Sequence, residues 1–100
     1  MNEISEYDEA YGLLVELSER YRELPLQAHL CVMEAFNSVV DSEVGPPGSL
    51  PAVSSAAPAD VMERAQGLLR DLQRAAPSLG ESLLFSRARN LMIAARAELR

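Results

Sequence analysis

The sequence contains no tryptophan and no lysine, a single cysteine, a single histidine, and only five aromatic residues: Tyr7, Tyr11, Tyr21, Phe36 and Phe85. Each shortage excludes something. Without lysine there is no Schiff-base or amine-nucleophile chemistry. Cys31, being alone, closes no internal disulfide, which fits a reducing cytoplasm. Metal sites in four-helix bundles use Glu-x-x-His, but the residue three before His29 is Leu26. His29 and Cys31 stand two apart, project to different sides of a helix and make a poor chelating pair. His29 therefore reads as a surface or interface residue and Cys31 as a small core hydrophobe. The five glycines are scattered, so no phosphate-cradling loop is present. No apolar run approaches the roughly 18 to 20 residues that span a bilayer. The opening MNEISEYDEA lacks the basic and then apolar order of a secretory signal. The expectation is a cytoplasmic protein that is not an enzyme, with no catalytic residue, metal, cofactor or membrane contact.

Positive charge is scarce too. Nine arginines face 15 acidic residues, for a net charge of −6 and a pI near 4.7. A surface that grips nucleic acid concentrates positive charge, so DNA and RNA are poor partners for this chain. The imbalance is also uneven. Residues 1–50 hold 2 Arg and 10 acidic side chains, net −8, whereas residues 51–100 hold 7 Arg and 5 acidic ones, net +2. Two halves of opposite sign favour packing against each other, within one chain or exchanged between two.

What the sequence does have is helical periodicity. The central stretch LQAHLCVMEAFNSVV, Leu26 to Val40, lines up Leu26, Leu30, Met33 and Val40, and beside them Val32, Phe36 and Val39. A helix with two apolar lines has to be covered on more than one side, which makes this the expected central helix. The helix before it spans about 6–23, with a seam of Tyr7, Ala10, Leu14, Leu17, Tyr21 and Leu24 stepping by three and four. Ser5 and Asp8 have the spacing of a capping box at its start. Leu24-Pro25 stops it and opens the second helix, about 25–43, so the two fold back as an αα-hairpin. Asp41 and Glu43 fall in the last turns of that helix, where the dipole disfavours them, and an arginine from elsewhere is expected to cover them.

Residues 44–58, VGPPGSLPAVSSAAP, form a Pro/Gly/Ser linker that does not dictate how the hairpins pack. A third helix, about 60–76, carries Val61, Ala65, Leu68, Leu72 and Ala75, with Asp60 and Glu63 placed as a cap. Pro77 ends it. Ser78 and Glu81 cap a fourth, about 79–99, with a seam of Phe85, Ala88, Met92, Ala95 and Leu99. Gly12 and Gly67 lie mid-helix at a cost of about 1 kcal/mol each, which close helix crossing would explain.

The expected fold is all-α: two αα-hairpins forming a small four-helix bundle in one domain, 1–100. A core this size built on Leu, Val, Met and Ala is marginal alone, and a homodimer is the natural remedy. The expected function is regulatory: a small acidic protein that binds another protein and inhibits or shields it, as antiactivators, immunity proteins, antitoxins and secretion chaperones do. Interface residues read from the sequence are Tyr7 and Tyr11, the stripe Val32, Phe36 and Val39, and Ile93 between Arg89 and Arg96. The alternative is a ligand-binding or enzymatic bundle with an Arg-lined cavity between the hairpins. That reading requires Arg87, Arg89 or Arg96 to point into a cavity with a polar acceptor, whereas the first places them outside beside exposed apolar residues.

Overall fold

A computed structural model describes residues 5–41 and 56–99. In it α1 spans Glu6–Glu19, a 3₁₀ turn Tyr21–Glu23, α2 Leu26–Val40, α3 Pro58–Ala75 and α4 Leu79–Ala97. Among the described residues there is no strand, and no helix is long and apolar enough to cross a membrane. The caps follow the sequence. Ser5 Oγ accepts from the Asp8 amide at 3.1 Å and Ser78 Oγ from the Glu81 amide at 3.2 Å, each satisfying a donor that the first turn leaves orphaned.

Several boundaries differ from the sequence reading; α4, for one, ends at Ala97 and not near residue 99. Helix α1 ends at Glu19, not near residue 23, because Leu24 before Pro25 is held extended (φ −118°, ψ 140°) and the chain tightens to 3₁₀ ahead of it. Helix α3 starts at Pro58, not Asp60. Proline suits a first helical turn, so Pro58 begins the helix and Asp60 contributes only its charge near the positive end. Helix α2 is described to Val40, with Asp41 as its exposed C-cap. Glu43 and linker residues 44–55 lie outside the described residues.

The helices close a ring in the order α1, α2, α4, α3. Aromatic contacts of Tyr11 with Phe36 and Tyr21 with His29 set α1 and α2 antiparallel. Glu9 to Arg64 and Arg20 to the Ala56 carbonyl do the same for α1 and α3, and Arg89 to Gln73 and Arg96 to Glu63 for α3 and α4. Each neighbouring pair is thus antiparallel, and the diagonal pairs, α1 with α4 and α2 with α3, are parallel. The end of α2 and the start of α3 therefore lie at opposite ends of the bundle.

The core is continuous across both hairpins. Phe85, Leu14, Leu17, Met62, Leu69, Met92, Val32 and Val39 are its largest fully buried side chains, each contributing about 1.5–3 kcal/mol by burial. Ala28 and Ala35 on α2, and Ala88 and Ala95 on α4, are wholly buried. Small residues seven apart on neighbouring helices let the two backbones approach closely. The charge contrast appears at the junction as a two-pronged ion pair between hairpins, Arg64 to Glu9 at 2.6 and 3.0 Å. Arg20 is a second tie: it bonds both carboxylate oxygens of Glu23 (2.8 and 2.9 Å), Glu16 (3.2 Å) and the Ala56 carbonyl (2.9 Å). The Glu23 bond is the main reason the Arg20 pKa is raised and the Glu23 carboxyl is held below its ordinary value.

Candidate protein-binding surface

On α2 the two apolar lines trade the places the sequence reading gave them. Val32 and Val39 are wholly buried, and Phe36 lies half-buried against the core, edge-on to Tyr11 at 5.2 Å. The other line faces solvent: Leu26 is 69% exposed, Leu30 46%, Met33 37% and Val40 46%. The helix is thus not covered on both sides. Single exposed leucines are ordinary, but here four large apolar side chains share one helix face over about 21 Å of axis, with exposed Asn37 between Met33 and Val40. Tyr21, half exposed, sits near the start of this line, against the His29 ring at 5.9 Å and under the Arg22 guanidinium at 5.7 Å. The patch has acidic neighbours, exposed Glu34 on α2 and Asp41 at its C-cap; α2 itself carries no lysine or arginine, and Arg22 lies beyond its start beside Tyr21.

The remaining sequence candidates divide. Tyr7 is buried, 6.4 Å edge-on to Phe85 and 6.0 Å from Tyr11, so it belongs to the core, and Tyr11 is half-buried beside it. Arg89, Ile93 and Arg96 do come together on the outer side of α3 and α4. Ile93 is 42% exposed there, Arg96 is exposed and Arg89 half-buried. Two shallow grooves share this side. One is lined by Ala59, Gln66, Ile93, Arg96, Ala97 and Leu99, the other by Glu63, Gln66, Gly67, Arg70, Arg89 and Arg96. The arginines therefore line an open face of the second hairpin, not a cavity between the hairpins, and Arg87 is exposed and lines neither groove.

His29 and Cys31 are both half-buried on α2. Burial, and then the charges of Glu34 and Glu98, push the Cys31 thiol above its ordinary pKa, which suppresses thiolate reactivity. Among the described residues no group of three or more His, Cys, Asp or Glu is placed to hold a metal ion. The sequence signal for the exposed patch was present in the line Leu26, Leu30, Met33 and Val40. What it lacked was the rotation of α2, which the positions of α1 and α4 decide. Comparison with family models, with curated proteins and with solved structures gives no match for this chain.

Proposed function

We propose that this chain is a regulatory binding protein whose α2 face receives a basic amphipathic helix of a partner protein, and that occupying that helix inhibits or shields the partner. The observation that carries the reading is the outward line Leu26, Leu30, Met33 and Val40. Helix-in-groove recognition uses apolar anchors at this three- and four-residue spacing. The acidic surroundings select the sign of the partner: Glu34 and Asp41 flank the line, and residues 1–50 carry a net charge of −8. A second copy is a poorer occupant, because an isologous α2–α2 contact sets one acidic face against another.

The test is capture from native extract with the wild-type chain, Leu30→Glu and Ile93→Glu, each first shown folded by circular dichroism. The expected result is a protein retained by wild type and Ile93→Glu and lost by Leu30→Glu. A peptide copying its basic amphipathic helix should bind wild type with the same sensitivity. Capture indifferent to Leu30→Glu overturns the reading. So does a concentration-dependent dimer, measured by sedimentation, that Leu30→Glu abolishes.

A further inference from the structure

The groove between α3 and α4 has features that neither the core nor the α2 surface explains. Arg70, Arg89 and Arg96 line it, with Glu63 as its single carboxylate, Gln66 as a neutral neighbour and Gly67 as part of its wall. Its volume of about 320 Å³ is at the lower end of small-molecule sites. The three guanidiniums are weakly engaged. Arg89 reaches only Gln73 Oε1, at 3.4 Å, and its Nε is buried with no hydrogen-bond partner among the described residues. Arg96 meets Glu63 at 3.4 Å, and Arg70 meets Asp71 at 3.6 Å. A guanidinium desolvated along one edge without a partner is costly, and charge-assisted bonds at its open edge offset that cost.

Gly67 points the same way. A mid-helix glycine costs about 1 kcal/mol against alanine. Close helix packing does not account for it here, because a Cβ at this position would meet no atom within 4 Å. The expectation that a tight crossing requires Gly67 is thus overturned. Its effect is to leave the groove without a side chain beside the guanidiniums.

We propose that this groove binds a small oxyanion ligand, carrying a phosphate or carboxylate group, between the guanidiniums of Arg89, Arg96 and Arg70. The planar fork of arginine matches two oxygens of either group. Binding draws Arg96 away from Glu63, so the carboxylate competes with the ligand for the same cation.

The experiment is a titration of the ¹⁵N-labelled full chain with sodium phosphate and, separately, with disodium succinate, against sodium chloride at matched ionic strength. Saturable shifts of the Gly67 amide and Arg89 Nε–H are expected with at least one oxyanion and not with chloride, and the stronger arm identifies the group. Arg89→Gln should weaken binding at least about tenfold. Glu63→Gln should tighten it, and Gly67→Ala should weaken it while the fold is retained. Leu30→Glu should leave it unchanged, which separates this site from the α2 surface. Shifts that follow ionic strength alone, or affinity indifferent to both Arg89→Gln and Glu63→Gln, overturn the proposal.

Discussion

Helices α2 and α3 lie diagonally opposite in the bundle and treat their outer faces in opposite ways. In α3 the large apolar residues Val61, Met62, Leu68 and Leu69 are buried and Leu72 is half-buried against the core, and the outer face carries Asp60, Glu63, Arg64, Arg70 and Arg74. In α2 the buried face is narrow, made of Ala28, Val32, Ala35, Ser38 and Val39, while Leu26, Leu30, Met33 and Val40 face outward. The first pattern is what a helix needs in order to fold against one side of a core. The second leaves apolar surface that the fold does not use, and the proposed binding face on the first hairpin rests on this difference.

The sharpest way to break that comparison is a pair of substitutions two residues apart. Val32→Asp buries an unpaired charge at a cost of several kcal/mol, about the whole stability of a small domain, and should abolish the cooperative thermal transition. Leu30→Asp places the same charge in water and should stay within about 0.5 kcal/mol of wild type in urea denaturation. Equal losses from the two would mean that the outward line is not outward.

On α3 the outer face should tolerate, and even reward, a helix-forming residue. Gly67→Ala is expected to stabilise by up to about 1 kcal/mol, a rise of a few degrees in Tm by calorimetry. A fall in Tm would place a packing partner over Gly67. Between the hairpins, Arg64→Ala removes the pair with Glu9. With Arg64 62% exposed, screening limits the loss to about 0.5 kcal/mol, and the difference from wild type should shrink further in 1 M salt.

The smallest effect is one of pH. The Glu23 carboxyl is held below its ordinary value by its bond to Arg20, so the folded state prefers the ionised form. That contribution is present above the ordinary carboxylate pKa and is lost as pH falls through the lowered folded value. Wild type and Glu23→Gln should therefore differ at neutral pH and converge in acid. A constant difference across that range would show that Glu23 acts through something other than its charge.

Much of the fold is legible in the sequence. Ser5 and Ser78 cap α1 and α4, Pro77 separates α3 from α4, and the lines through Leu14 and Leu17, through Val61, Ala65 and Leu68, and through Phe85, Ala88 and Met92 are the buried seams. In each of these helices one apolar line is longer than any other, so period orients them, although α4 also leaves Leu79, Leu83 and Ile93 exposed. Reading α2 failed because its two lines are alike in hydrophobicity. Tyr7 was open to both a core and a surface role, since tyrosine suits either, and its contact with Phe85 comes from an element nearly eighty residues away in the chain. The arginine groove was only half legible. Arg89 and Arg96 share a side of one helix, but Arg70, Glu63 and Gly67 join them only when α3 packs alongside.

The sequence by itself determined that the chain is helical, where its helices turn back and how charge divides between the hairpins, because capping, proline restriction and periodicity act over three to seven residues. Tertiary structure alone decided the ring order α1, α2, α4, α3 and the rotation of α2 within it. Both depend on contacts between helices that are distant in the chain, and it is those contacts that put Val32 and Val39 inside and left Leu26, Leu30, Met33 and Val40 to face outward.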